Sequence, residues 1–151
     1  MGQVTQLFVA VGSRRPMRQV EDVTAVANRG FDGCRHSRPG SRRQVLLIDG
    51  ETLEALGLGP GEVKENITTR GLRLDQLAKG QRLEIGQAVL EVTGPCEPCA
   101  QMDEIRMGLQ QELHGRRGIL CRVVEGGRIL RGDAIRMVGA AVSAPGNGGD
   151  L

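Results

Sequence analysis

Aromatic side chains are almost missing from this chain. Phe8 and Phe31 are the two present, with no Trp and no Tyr in 151 residues. A core must therefore be built from Val, Leu, Ile, Ala and Met, and the scarcity argues against a platform that stacks nucleic-acid bases on aromatic faces. Lysine is nearly as rare: of 20 basic residues only Lys64 and Lys79 are lysines. Net charge is +2, too small to imply a polyanionic partner, so no nucleic-acid partner is expected. No apolar run approaches the roughly 20 residues that a membrane span requires, and Met1 opens no signal-peptide pattern. Four cysteines without a secretory signal suggest a reducing, cytoplasmic setting, where chemistry or burial is expected of a thiol before a disulfide framework.

What is present fits one ordinary globular domain: 39% apolar and 25% charged residues. Val4 to Val11 reads as a first strand, and the alternation over Gln19 to Val26 as a second. Asn28 to Ser41 holds Gly30, Gly33, Pro39 and Gly40 and predicts a long loop, which in a compact domain tends to be functional or mobile. Gln44 to Ile48 is a buried strand. Asp49 caps a short helix through Leu56, Glu65 to Thr69 is a strand, and Leu74 to Leu77 is one helical turn. Gln81–Ile85 and Ala88–Thr93 flank a Gly86-Gln87 turn, a strong hairpin signal. Met102, Ile105, Leu109 and Leu113 recur at three- and four-residue steps, which predicts an amphipathic helix ended by Gly115. Ile119–Val124 and Arg128–Val138 are two further strands around a Gly126-Gly127 turn. Ala141 to Leu151 is Gly/Pro/Ser-rich and predicts a flexible tail after a domain of residues 1–140. Many short strands, one long helix and no strand–helix alternation predict a mainly β fold. A closed or nearly closed β-barrel of about seven to eight strands, with one amphipathic helix and short peripheral helices, explains them best because closure removes exposed edges.

Four groups of residues could carry chemistry. Cys99 follows Pro98 and opens the predicted helix, where unpaired N–H groups and the helix dipole favour thiolate over thiol. A thiolate there is a soft-metal ligand or a nucleophile; packing at a strand–helix junction is the plainer alternative. Cys96 completes a C-x-x-C pair, outside the βαβ context of thioredoxin-like chemistry. Cys34, Cys121, His36 and His114 lack zinc-ligand spacing relative to it, and Cys121 reads as a small buried hydrophobe. Arg35, His36, Arg42 and Arg43 lie on or beside the glycine-bent loop, where they could grip a phosphate or carboxylate or simply be solvated. Asn66, Thr68 and Arg70 fall on one side of a strand by its two-residue period, offering an amide, a hydroxyl and a guanidinium, or merely a polar strand face.

At these residues the sequence resembles the MOSC family, named for the C-terminal domain of molybdenum cofactor sulfurase, in its short stand-alone bacterial form. The matching pieces run in order from about Val4 to Val138. They are Gly33-x-Arg-His36, Arg43-Gln-Val-Leu-Leu-Ile-Asp49, Glu65-Asn-Ile-Thr-Thr-Arg-Gly-Leu72, Leu83 to Thr93, Pro98-Cys99 and Gly126-Gly-x-Ile-x-x-Gly-Asp133. The resemblance implies a β-barrel and association with molybdenum cofactor, a pterin dithiolene bearing a phosphate. It implies that Cys99 is a molybdenum ligand or sulfur carrier. Two activities follow from the family: reduction of N-hydroxylated compounds with electrons from a redox partner, or transfer of sulfur from a donor protein into metal–sulfur centres. A third option is a non-catalytic module that holds the cofactor. None of these calls for pyridoxal phosphate. The residues matched place Cys99 at the metal and His36 as a proton-handling group, Arg35, Arg43 and Arg70 at the phosphate, and Asn66 and Thr68 at the pterin edges. The chain departs from the family pattern twice. An Asp expected before the Arg/His pair is Cys34, which leaves His36 without an acidic partner. The position three before Cys99 is Cys96, which implies altered cofactor handling or a second thiol that resolves a Cys99 persulfide.

Overall fold

The structure, a computed structural model, describes residues 2–116 and 118–140. The predicted tail at 141–151 lies outside the described residues. Eleven strands are described: β1 (Gly2–Val9), β2 (Arg18–Val20), β3 (Asp22–Val26), β4 (Gly30–Phe31), β5 (Val45–Asp49), β6 (Ile67–Arg70), β7 (Gln81–Ile85), β8 (Ala88–Pro95), β9 (Ile119–Glu125), β10 (Gly127–Leu130) and β11 (Ala134–Ala140). Two short α-helices, α1 (Gly50–Ala55) and α2 (Leu109–Glu112), and 3-10 turns at Leu74–Gln76 and Ala100–Glu104 complete the list.

Seven strands form a closed barrel in the order β11-β7-β8-β9-β5-β6-β1, with β1 pairing back onto β11. An eighth strand, β2, extends the sheet on β1. Closure gives every barrel strand two partners, so the unpaired edges that invite aggregation are removed. All pairings are antiparallel except β5–β6, which is why a crossover holding α1 separates those two strands. The period-two alternation puts Val45, Leu47, Ile67, Leu83, Ile85, Leu90, Ile119, Cys121 and Val123 inside. Phe31 fills the same core, and each such large apolar side chain contributes about 1.5–3 kcal/mol by leaving water.

Several expected elements differ. The one strand read over Arg128–Val138 is two, β10 in the smaller sheet and β11 in the barrel. The strand read over Gln19–Val26 divides: β2 pairs with β1 in the barrel, and β3 pairs with β10 in a separate three-stranded sheet, β10-β3-β4. The hairpin read at Gly126-Gly127 does not form either, since β10 pairs with β3 and not with β9. The glycines serve a close crossing of chains. A Cβ on Gly127 would stand 2.3 Å from the Gln87 carbonyl oxygen, and one on Gly126 2.8 Å from that of Ala25.

The predicted amphipathic helix is also broken in two. Gly108 takes φ +85, a left-handed conformation that interrupts a helix. Met102, Leu109 and Leu113 are nevertheless buried together, against the outward-facing Ile48 of β5 and against Leu53, Leu58 and Val63 of the crossover. The spacing identified the buried face correctly; the glycine decides that two short turns present it. Arg106 holds the two pieces in place by donating to the Leu56 carbonyl at 2.7 Å and pairing with Glu112.

Candidate functional site

Outward-facing residues of β5 and β9 make the floor of a cleft. Leu46 and Leu120 point away from the barrel interior and pack with Cys96 as a small apolar cluster of their own. Above this floor three segments converge: the loop from Gly12 to Met17, the loop carrying Arg35 and His36, and the Cys96–Met102 segment. The cleft they enclose is about 410 Å³. Two contacts fix the first loop. Arg14 donates to both carboxylate oxygens of Glu104 at 2.7 Å, and Lys64 donates to the Arg15 carbonyl at 2.8 Å.

The walls are strongly one-signed. Arg14, Arg15, Arg35, Arg38, Arg43 and Lys64 line the cleft, and none of its lining residues is acidic. Guanidinium forks bind phosphate and carboxylate in pairs of hydrogen bonds, so this concavity is suited to an anion. Cys99 stands exposed at its edge. Its backbone is extended, at φ −109 and ψ 169, and the following 3-10 turn has five residues. The long helix whose dipole was expected to act on this sulfur is therefore absent, and the positive field at the cleft comes from side chains instead.

His36 lines the same cleft from behind a buried polar node centred on Asn66. The Asn66 amide is fully buried, and its orientation is fixed at both ends. Its Oδ1 accepts from the Leu46 N–H at 3.0 Å, and its Nδ2 donates to the Phe8 carbonyl at 3.2 Å. Oδ1 also lies 3.2 Å from His36 Nδ1. An amide oxygen cannot donate, so Nδ1 carries the proton, and in the neutral ring Nε2 holds the lone pair.

Cys34 completes the node. Its Sγ accepts from the N–H of Ala10 at 3.3 Å, the N–H of His36 at 3.4 Å and Nδ2 of Asn66 at 3.3 Å. Burial pushes its thiol up, but the hydrogen bond from the His36 side chain and those from the Ala10 and His36 backbone outweigh this, holding it below the ordinary thiol range. The Cys34 sulfur thus accepts from the His36 backbone N–H at the position where the family pattern has an Asp. Cys121, by contrast, is sealed in the barrel, where burial and the nearby Glu91 carboxylate push its thiol strongly up. It is inert packing, as its apolar strand implied.

Of the residues singled out in the sequence, Cys99, His36, Arg35 and Arg43 meet at the cleft. Asn66 lies directly behind His36 and is wholly buried. Thr68 is also buried and donates to a Glu65 carboxylate oxygen at 2.7 Å. Arg70 is exposed outside the cleft and pairs with Glu54. The sequence marked Cys34 only as a departure from the family pattern and gave no role to Arg14, Arg15, Arg38 and Lys64. The basic run Ser13–Arg18 was the available signal for Arg14 and Arg15. Lys64 and Arg38 carried none, since only tertiary structure brings them to one wall. A larger cavity of about 710 Å³ lies elsewhere, lined by residues such as Asp49, Leu72, Leu74 and Ile119, and holds none of the residues expected to act.

Solved structures confirm the architecture. The YuaD protein from Bacillus subtilis is 21% identical, with 89% of this chain and 94% of that one covered, at a TM-score of 0.76. YiiM from Geobacillus stearothermophilus is 20% identical, covering 92% and 76%, at 0.75. YiiM from Escherichia coli is 17% identical, covering 92% and 71%, at 0.72. At these identities the likeness establishes the fold. No curated protein matches the sequence. The sequence model of the MOSC domain, however, matches residues 35–136, a span holding Arg35, His36, Arg43, Asn66 and Cys99, and the chain therefore belongs to the MOSC domain family.

Proposed function

We propose that the cleft binds molybdenum cofactor, with the Cys99 sulfur as a ligand to the metal, and that the bound form reduces N-hydroxylated compounds. One observation carries the reading: an exposed thiol shares a concave site with six cationic side chains and no acid. The donor set fits this cofactor. Among the described residues no group of three or more His, Cys, Asp and Glu is placed to hold a metal, so a bare ion has no cage. A metal that arrives with dithiolene sulfurs of its own needs one further soft ligand, which a single thiol supplies. Its phosphate needs guanidinium or ammonium donors.

The cofactor, when bound, supplies the redox centre; the chain supplies position and charge. Arg35 and Arg43 are the sequence-matched phosphate contacts within the cleft, and Arg38 and Lys64 add to the same field. Leu46, Cys96 and Leu120 give the same cleft an apolar floor. His36, with its proton fixed at Nδ1 by Asn66, would present the Nε2 lone pair to a neighbouring group. Asn66 and Thr68 act through this arrangement by holding it, and Arg70 holds α1 through Glu54. A redox partner must deliver the electrons.

Metal and pterin analysis of protein isolated from a cofactor-competent host tests the proposal. The expected result is near-stoichiometric molybdenum in the wild type, reduced but still measurable in Cys99→Ser and reduced at least tenfold in Arg35→Ala/Arg43→Ala. Wild-type protein without molybdenum, before and after reconstitution, contradicts it. A second reading is favoured by the exposure of Cys99 alone: a persulfide carried on its sulfur for delivery to metal–sulfur centres. In that case a donor desulfurase adds one sulfur to the mass of the wild type and none to Cys99→Ser.

A further inference from the structure

We propose that the open end of the barrel is a second ligand site, shaped for a small amine carried on an apolar body. The last residue of β5, the last of β8 and the first of β9, which are Asp49, Pro95 and Ile119, meet at that end. All three line the cavity of about 710 Å³, which shares no residue with the cationic cleft. Its size falls in the range of about 300–1,000 Å³ usual for small-molecule sites, and barrel mouths are one of the places where such sites form. The floor is apolar. Leu74 and Ile119 belong to the barrel core, and Leu72 and Leu77 pack against it. A ligand with an apolar body therefore displaces water from the end of that core.

Charge selects the head of that ligand. Among the described lining residues Arg73 and Asp75 are taken up by each other, with Nε and one Nη of Arg73 donating at 3.2 Å. That leaves Asp49 and Glu51 against Arg116. Asp49 accepts from the Thr52 N–H at 3.1 Å and the Thr52 hydroxyl at 2.7 Å, both on Oδ2. Glu51 accepts from the Gly71 N–H at 2.9 Å on Oε2. Each carboxylate thus keeps its second oxygen outside these bonds. Burial pushes the Glu51 carboxyl up, but the N–H groups of Gly71 and Glu51 and the charge of Arg70 outweigh this and hold it below the ordinary range. A buried hydroxyl stands beside the two acids. Thr69 is in register with Asp49 on one side and with Val4 of the barrel core on the other, so its side chain faces the inside of the same barrel end. Among the described residues its Oγ1 has no hydrogen-bond partner although it is fully buried, which is a costly state. An ammonium carries three N–H donors and no acceptor, a match for two carboxylates and one hydroxyl.

A methyl NMR titration of the full chain tests this with benzylamine, benzyl alcohol and benzoate, one apolar body bearing in turn a cation, a neutral group and an anion. Benzylamine is expected to shift the methyl signals of Leu74 and Ile119 to saturation and to leave those of Leu46 and Leu120, in the cationic cleft, in place. Benzyl alcohol is expected to bind about tenfold more weakly, the usual gap between a charged and a neutral hydrogen bond, and benzoate more weakly still. Asp49→Asn keeps an N-cap acceptor for Thr52, and Glu51→Gln keeps an acceptor for Gly71, so each removes charge and not the bond. Each is expected to weaken benzylamine about tenfold and to leave benzyl alcohol unchanged. Thr69→Val, of nearly the same shape, is expected to weaken benzylamine severalfold. The ligand series needs no substitution and decides the matter alone if a variant fails to fold. Equal affinity for benzylamine and benzyl alcohol, tighter binding of benzoate at Ile119, or a benzylamine affinity unmoved in all three variants overturns the proposal. So does the lack of a saturable shift at Ile119.

Discussion

Asn66 shows how much one buried amide can organise. Its four contacts join β5, β1, the loop and the imidazole, through Leu46, Phe8, Cys34 and His36. Replacing it with Ala strands a buried N–H and a buried carbonyl, each costing about 1–3 kcal/mol unpaired. Asn66→Ala is expected to lose about 2–4 kcal/mol in a urea titration, with the denaturant slope unchanged. A loss within 0.5 kcal/mol, roughly the scatter of a neutral surface change, would place the organising role elsewhere. The sequence marked Asn66 as important and gave it an exposed recognition role, because period two says which side of a strand a residue takes and not what covers that side. Cys34 was legible as an oddity of spacing. That its sulfur gathers three N–H donors depends on Ala10 and Asn66, far away in sequence.

At the scale of elements, the strands were read well where alternation was clean and poorly where a strand changes partner. β7 and β8 form the hairpin expected around Gly86-Gln87. The Gly126-Gly127 pair has the same local signature and is used for a crossing instead, since the cost of a Cβ against Gln87 or Ala25 appears only once distant chains are in place. Likewise the apolar repeat from Met102 to Leu113 named the buried side chains, but a single left-handed glycine divides the helix. β9 carries a prediction of its own through Cys121. Its folded thiol is raised by burial first and by Glu91 second, so the stabilisation of the neutral form is complete below the ordinary thiol range. It is lost as pH rises and the unfolded chain ionises more readily. Above pH 9, wild-type stability is expected to fall relative to Cys121→Ala by at most about 1.4 kcal/mol per pH unit, measured by chemical denaturation across pH. A difference that stays flat into alkaline pH would contradict a sealed thiol.

For the whole molecule, the barrel is a rigid frame and the chemistry hangs on its outer face. The interior is filled by Val, Leu, Ile and Phe31, while the cleft is built where Leu46 and Leu120 turn outward under three converging segments. That division explains why fold class was legible from strand count alone and why the cleft's charge was not. An Arg surplus spread along the sequence gives no hint that six cationic side chains line one cleft with an exposed thiol at its edge. X-ray absorption at the molybdenum edge of loaded protein reads directly whether this thiol is a metal ligand. One more sulfur is expected around the metal in the wild type than in Cys99→Ser, with the lost sulfur replaced by a lighter neighbour. Superimposable spectra from the two proteins at equal molybdenum content would contradict it.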